Sequence, residues 1–163
     1  MDAITALKTR RSIRTYSQQS IDKEILSDLA DCGRLAASAR NIQPCRFIVV
    51  TERDRLAAIA QMTDYGKFIA QAAACIAVFG EDVTYRIEDC AAAAQNILVA
   101  AKAHGLASCW IAGDKKPYTL KAERYLGAPE GIKLFCLIAL GYSDAEPRVE
   151  KKPLEEVLFW QHF

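Results

Sequence analysis

Three arginines and a serine lie close together near the start of the chain, in the segment TRRSIRTYS (residues 9–17). Guanidinium groups bind phosphate and carbonyl oxygens in a planar, forked geometry, so Arg10 and Arg14 together could hold one anionic ligand. In a helix these two residues share a side. In an extended segment Arg10, Ser12 and Arg14 point one way and Arg11 the other. The alternative is a solvated basic turn at a helix C-terminus, where cations suit the helix dipole.

A second polar segment, SARNIQPCRF (residues 38–47), comes directly before an apolar run. Side chains such as Ser38, Asn41 and Gln43 can read the donor and acceptor edge of a flat heterocycle. The alternative is a helix C-cap followed by a turn, with Pro44 starting a strand.

A third segment, GLASCWIAG (residues 105–113), ends an apolar run with small residues. Small residues let a ligand ring come close to the backbone. The alternative is plain core packing of Cys109 and Trp110.

Apolar runs and helical periodicity predict the elements that must position these segments. We expect helices over residues 3–9, 20–37, 54–62, 84–104 and 117–126, the second capped by Ser20 and carrying Leu35 in its apolar stripe. We expect strands over residues 46–50, 74–80, 107–113 and 132–141. The fourth helix is rich in alanine, which indicates a central buried helix. Either parallel βαβ units or an α+β arrangement fits this order.

Length and charge limit the class of protein. A chain of 163 residues fits one domain, and its formal net charge of +1 does not favour nucleic acid or membrane as a partner. No apolar run reaches the roughly 18 residues of a membrane span, and the N-terminus does not look like a signal peptide. We therefore expect a cytoplasmic protein.

The six cysteines form no C-x-x-C pair, and the chain has only two histidines, so the sequence predicts buried apolar thiols and no metal site. The C-terminal segment carries Leu154, Val157, Leu158, Phe159 and Trp160. A free tail rarely keeps such residues, and we expect them to dock on this subunit or on a partner.

In combination, these motifs resemble the nitroreductase family of FMN-dependent oxidoreductases. The resemblance rests on RRSIRTY, SARNIQPCRFIVV, AAAAQNILVAAKAHGLASCWIAG and IALGYSDAEPRVEKKPLEEVLFW, which follow one another over almost the whole chain. It implies one α+β domain over residues 1–163, an α/β/α sandwich on a mostly antiparallel sheet. It also implies an intertwined homodimer, in which the tail (residues 143–163) embraces the partner and supplies a strand to its sheet.

The resemblance also implies roles for individual residues in binding FMN. Arg10 would hold the phosphate, Arg11 would contribute mainly backbone, and Ser12 and Arg14 would hold the pyrimidine end of the ring, with Arg14 tuning its charge. The remaining cofactor contacts would be Ser38 and Asn41 from the other subunit, Ala112 and Gly113 near the reactive N5 edge, and Arg148 and Lys151 at the phosphate. No side chain would act as a catalytic nucleophile.

The implied activity is transfer of hydride from NADH or NADPH through FMN to a small acceptor, such as a nitroaromatic or a quinone, by a ping-pong mechanism. Alternatives are another FMN reaction on the same fold, such as dehalogenation, a non-catalytic flavin-binding protein, and a small basic protein that binds nucleic acid. Ala37 and Cys45 depart from the family pattern, which commonly has proline and an aromatic residue at these positions.

Overall fold

The computed structural model describes residues 1–147 and 149–163, and in these ranges five α-helices surround a four-stranded sheet. The helices are α1 (Ala3–Thr9), α2 (Lys23–Arg34), α3 (Arg53–Met62), α4 (Arg86–Ala103) and α5 (Thr119–Leu126). The strands are β1 (Cys45–Val50), β2 (Ala74–Glu81), β3 (Ala107–Ala112) and β4 (Ile132–Gly141). Short 3₁₀ helices cover Ala39–Asn41, Lys67–Gln71 and Leu154–Glu156.

The sheet has the strand order β1-β2-β4-β3, and each neighbouring pair is antiparallel. This excludes parallel βαβ units and confirms the mostly antiparallel α+β arrangement. The two central strands, β2 and β4, are almost wholly buried because helices cover both faces, which explains their continuous apolar sequences. β1 and β3 form the two edges.

Helices pack on both faces of the sheet, so the predicted α/β/α sandwich is confirmed. On one face, Leu29 of α2 and Ile97 of α4 pack with Ile138 of β4. On the other face, Leu56 of α3 packs with Leu137 of β4, and α5 joins the same core. Side chains of each central strand alternate between the two faces, so each helical layer buries every second side chain.

Three helix predictions were too long, and of these α4 covers Arg86–Ala103 rather than residues 84–104. α2 begins at Lys23 after Asp22 and ends at Arg34, so Ser20 does not cap it. Leu35 follows the last helical residue and is 64% exposed, outside the apolar stripe to which the sequence assigned it. α5 begins at Thr119 and not at Pro117. Local preferences place helix starts only to within a turn, and tertiary contacts decide the rest.

α4 is buried along one stripe and not all round. Its buried residues recur at helical spacing, from Cys90 through Ala94 and Ile97 to Ala101, and face the sheet. Gln95 and Asn96 are exposed. Alanine keeps the helix close to its neighbours, α1 and α2, but one face remains uncovered in the single chain.

The C-terminal tail carries exposed apolar side chains. Within the described part of the tail, Leu154–Glu156 form a 3₁₀ helix and no strand is present. Phe159 is 50% exposed, Trp160 73% and Phe163 fully exposed. The prediction that this segment docks on its own subunit fails for these residues, and docking on a partner stays a prediction.

Candidate functional site

The arginine-rich segment is extended and lies along the free edge of β3. Ser12 forms a parallel bridge with Ser108, and the Ile13 N–H donates to the Ser108 carbonyl oxygen at 3.0 Å. Arg10 has the backbone angles of an extended residue. The structure therefore selects the extended alternative, in which Arg10, Ser12 and Arg14 share one side.

Arg10, Ser12 and Arg14 all act on the electrostatics of Cys109, on β3, which is consistent with their sharing one side. Burial raises the pKa of the Cys109 thiol. The Arg14 charge, a hydrogen bond with Ser12 and the Arg10 charge each act to lower it. Arg11 instead turns its guanidinium back to donate to the carbonyl oxygens of Lys8 at 3.0 Å and Arg10 at 2.8 Å.

Neither Arg10 nor Arg14 has a carboxylate partner within the described ranges, where the arginine ion pairs are those of Arg34, Arg46 and Arg86. The Arg14 guanidinium carbon lies 5.9 Å from the centre of the Phe68 ring. A cation resting on an aromatic face keeps its remaining donors for a ligand. Both guanidinium groups are thus available to an anion.

Arg14 lines a cavity of about 210 Å³ beside β3, together with Phe68, Trp110, Ala112 and Tyr118. A larger groove, of about 640 Å³, lies next to Arg10. In an extended chain Arg10 and Arg14, four residue steps apart, are separated by about 13 Å. The edge of β3 could therefore hold an elongated ligand with a flat end near Arg14 and an anionic end near Arg10.

The groove beside Arg10 contains donors that sequence reasoning missed. Lys102 and Ser108 line it, and the buried Ser108 hydroxyl has no hydrogen-bond partner among the described residues. Asp144 and Glu146 also line it but are exposed, so solvent screens their charges. The sequence held no signal for Lys102, because only the fold brings the end of α4 beside the arginine segment.

The backbone at the end of β3 separates the roles of Ala112 and Gly113. The N–H groups of Gly113 and Asp114 both donate to the Phe135 carbonyl oxygen, at 3.0 and 2.8 Å. Since bonded pairs alternate in an antiparallel ladder, the Ala112 N–H and carbonyl point away from β4, toward the cavity. Of these two residues, Ala112 and not Gly113 therefore directs its amide toward the cavity.

Two side chains hold this end of the strand in place. The Tyr118 hydroxyl donates to the Ala112 carbonyl oxygen, and the Thr119 hydroxyl donates to the Gly113 carbonyl oxygen. Burial, reinforced by the Asp64 charge, raises the pKa of Tyr118 to about 12, so its hydroxyl remains a donor at neutral pH. The Ala112 amide is consequently held in one orientation.

Gly113 is required by packing. A Cβ at this position would lie 2.9 Å from the Phe135 carbonyl oxygen and 3.0 Å from the Leu134 Cγ. We expect Gly113→Ala to lower the free energy of unfolding by about 1–3 kcal/mol, because backbone atoms must move. Urea denaturation of the two proteins measures this difference, and equal midpoints and slopes would contradict the assignment.

The second polar segment lies far from the first within one chain. Cys45, the first residue of β1, pairs with Gly80 of β2, which in turn pairs with Lys133 near the start of β4. Ser108 pairs with Leu140, near the other end of β4. The start of β1 is thus about 19 Å across the sheet and more than about 20 Å along it from Ser12. Ser38 and Asn41 precede that start, so one chain does not bring them to the arginine segment.

The loop that contains Ser38 and Asn41 is strained and well anchored. Arg40, Asn41 and Gln43 have φ angles of 54°, 56° and 56°, in the left-handed region. The Ser38 hydroxyl accepts the Gln43 N–H at 2.9 Å. Strain of this kind concentrates at functional sites, which supports a binding role for the loop.

Asp89 is a positioning residue that the sequence did not reveal. It is 6% exposed, and its Oδ1 accepts the Ala39 N–H at 3.0 Å, which ties the loop to the first turn of α4. Its Oδ2 has no partner among the described residues. The helical spacing of the apolar residues of α4 could have indicated that Asp89 is buried, because position 89 adjoins the buried stripe.

Of the two predicted phosphate residues of the tail, Lys151 is described and does not line the groove beside Arg10. Lys151 is exposed in the C-terminal tail, and Arg148 lies outside the described residues. Their roles stay predictions.

Of the cysteines, Cys75, Cys90, Cys109 and Cys136 are buried, as the sequence predicts, while Cys32 and Cys45 are half-buried. Among the described residues, no three acidic, histidine or cysteine side chains are grouped as metal ligands. The helices in the described ranges are too short or too polar to cross a membrane.

Comparisons with known proteins agree with this geometry. A family model described as "Putative TM nitroreductase" matches residues 2–162. A protein of Archaeoglobus fulgidus named "Putative NADH dehydrogenase/NAD(P)H nitroreductase" is 35% identical over 152 residues, which are 89% of this chain and 87% of that protein.

Solved structures match over the full length. A protein of the same name from Bacteroides thetaiotaomicron superposes with a TM-score of 0.93 at 31% identity, covering 99% of this chain and 98% of that one. A nitroreductase in complex with FMN from Desulfovibrio desulfuricans gives a TM-score of 0.84 at 29% identity, covering 100% and 98%. The chain belongs to the nitroreductase family.

Proposed function

We propose that this protein is an FMN-dependent NAD(P)H oxidoreductase that reduces a small acceptor such as a nitroaromatic or a quinone. The name of the relative from Archaeoglobus fulgidus refers to NADH and to NAD(P)H as reductants. The structure from Desulfovibrio desulfuricans contains FMN. The observation that carries the proposal is that Arg10 and Arg14 lie on one side of the β3 edge, neither with a carboxylate partner among the described residues.

The residues present fit FMN. The cofactor has an anionic phosphate and a flat ring, and the edge of β3 offers a groove beside Arg10 and a smaller cavity beside Arg14. The Ser108 hydroxyl, buried without a partner among the described residues, lines the groove and gives it a spare donor or acceptor. When bound, FMN supplies hydride acceptance from NAD(P)H and electron delivery to the acceptor.

Each residue then has a physical role. Arg10 holds the phosphate, and Ser12 and Arg14 bind the pyrimidine end of the ring. Arg14 stabilises negative charge on that end, because a guanidinium in a partly dry cavity favours an adjacent anion. The Ala112 amide donates to the opposite edge of the ring, and Arg11 contributes through its backbone.

A homodimer completes the site. Ser38 and Asn41 lie at the opposite corner of the sheet from Ser12, so they reach the same cofactor only from a second copy. Among the described residues, the outer edge of β1 is unpaired, which leaves room for a strand from the partner's tail (residues 143–163). Residues 1–163 then form one domain whose cofactor site is shared between two chains.

NAD(P)H and the acceptor use the same cavity in turn, which gives ping-pong kinetics. The cavity beside Arg14 is small, and none of its lining residues is needed as a nucleophile. Phe68 and Trp110 provide apolar contact for a flat acceptor, and Lys116 provides a cation at the rim. Whichever of the two molecules is bound would cover the ring and exclude water from it.

The visible spectrum of the purified protein tests the proposal. We expect bound FMN with absorbance near that of free flavin, bleached by NADH or NADPH in the absence of oxygen and restored by a quinone. Double-reciprocal plots at several acceptor concentrations should be parallel. A protein that stays colourless with excess FMN would overturn the assignment, and bound FMN that neither nucleotide bleaches would indicate a non-catalytic flavin protein.

A further inference from the structure

We propose that Cys45 and Cys90 form a reactive dithiol, which low-molecular-weight disulfides such as oxidised glutathione convert into an intramolecular disulfide. The two Sγ atoms lie 3.7 Å apart, although the residues are separated by 45 positions in the sequence. The pair lies away from the β3 edge of its own chain, and its cavity is also lined by Ser38, which the proposed function assigns to the partner's cofactor. The test below reads thiols and not flavin, so it can fail independently of the proposed function.

A glycine brings the two thiols together. Gly80 of β2 lies opposite Cys45 of β1 in the sheet. A Cβ on Gly80 would lie 2.6 Å from the Cys90 Sγ, so the sulfur from α4 occupies the space that any other residue would fill. Cys90 thereby reaches across β2 to the side chain of Cys45.

The two thiols differ in access and in acidity. Cys45 is half-buried and lines an open cavity of about 490 Å³, whereas Cys90 is fully buried. The hydrogen bond with Cys90 lowers the pKa of Cys45, against the opposing effects of burial and of the Asp89 charge. The same hydrogen bond, followed by burial, raises the pKa of Cys90. Cys45 is thus the thiol that a small reagent can reach and that ionises first.

The chemistry proceeds in two exchange steps. The Cys45 thiolate attacks one sulfur of the oxidised glutathione, forming a mixed disulfide and releasing one glutathione thiolate. The Cys90 sulfur then attacks the Cys45 sulfur, loses its proton to solvent and expels the second glutathione. The dithiol loses two electrons, and one oxidised glutathione becomes two reduced molecules.

The two sulfur atoms are already in contact. A disulfide has an S–S distance of about 2.05 Å, so the two sulfurs must approach by about 1.7 Å from their present contact. No other pair of thiols is hydrogen-bonded within the described ranges, which include all six cysteines. Cys75, Cys109 and Cys136 are enclosed in the core.

The test exposes the full-length protein, without oxygen, to oxidised glutathione, followed by thiol counting and peptide mapping. We expect the loss of two of the six thiols, a mass lower by two hydrogens, and a linked peptide pair that contains Cys45 and Cys90. Dithiothreitol should restore both thiols. A wild-type protein in which Cys45 and Cys90 stay reduced, or in which Cys45 keeps a glutathione adduct, would overturn the proposal.

Three variants separate the two steps. Cys90→Ala should accumulate glutathione on Cys45, because the resolving thiol is gone. Cys45→Ala should leave Cys90 unmodified. Cys32→Ala removes the other half-buried thiol, on α2, and should form the Cys45–Cys90 link at the wild-type rate. A loss of the link in Cys32→Ala would contradict the assignment of the pair.

Discussion

Arg14→Ala is expected to lower the reduction potential of the bound flavin by roughly 30–60 mV and to weaken FMN binding by about one to two orders of magnitude. A hydrogen bond to a charged group contributes about 1.5–3 kcal/mol, and for a two-electron couple 30 mV corresponds to about 1.4 kcal/mol. Arg14 has no carboxylate partner among the described residues, so its charge is available to the ring. Redox titration and fluorescence measure the two effects.

Two further variants define the cause. Arg14→Lys keeps the charge but loses the forked geometry, so we expect it to retain most of the potential and less of the affinity. Arg124→Ala removes one exposed cation from the end of α5 and changes the net charge by the same amount as Arg14→Ala. It should leave both values unchanged. An Arg14→Ala protein with the wild-type potential would remove Arg14 from the proposed role.

Removal of residues 154–163 is expected to abolish the dimer and the bound flavin together. The segment carries exposed apolar side chains, and full burial of each contributes about 1.5–3 kcal/mol. A dimer with micromolar affinity needs only about 8 kcal/mol, so loss of these contacts is sufficient to dissociate it. We expect a colourless monomer or an aggregate by light scattering and absorbance.

A shorter truncation provides the control. Removal of His162 and Phe163 alone leaves Leu154 through Trp160 in place, so this protein should remain a yellow dimer. Because the longer truncation also separates Ser38 and Asn41 from the partner's arginine segment, the flavin should be lost at any protein concentration. A soluble, yellow, dimeric chain that ends at residue 153 would contradict the role of the tail.

The elements themselves were largely predictable from the sequence. The four strands follow continuous apolar runs, and each observed strand lies within one residue of its prediction at either end. Such runs are specific because both faces of a central strand are buried. Helix ends were less predictable: Ser20 and Pro117 have the right chemistry to begin a helix, yet α2 and α5 begin at Lys23 and Thr119.

The family motifs identified candidate residues but not their arrangement. Both helical and extended geometry place Arg10 and Arg14 on one side, so only the bridge from Ser12 to Ser108 decided between them. Likewise, Ala112 and Gly113 are equivalent in the sequence. The hydrogen bond from the Gly113 N–H to the Phe135 carbonyl oxygen shows that, of the two, Ala112 is the one whose amide points away from β4.

The sequence by itself determined the family, the strand segments and the cationic character of the β3 edge, because these depend on residue types and on short-range periodicity. The tertiary structure alone decided which groups meet, such as Asp89 with the loop at Ala39 and Cys45 with Cys90. It also decided which groups stay apart, since Ser12 and Ser38 lie at opposite corners of the sheet. These contacts join residues tens of positions apart. Strand order and helix packing determine these contacts, and neither can be inferred from a local sequence pattern.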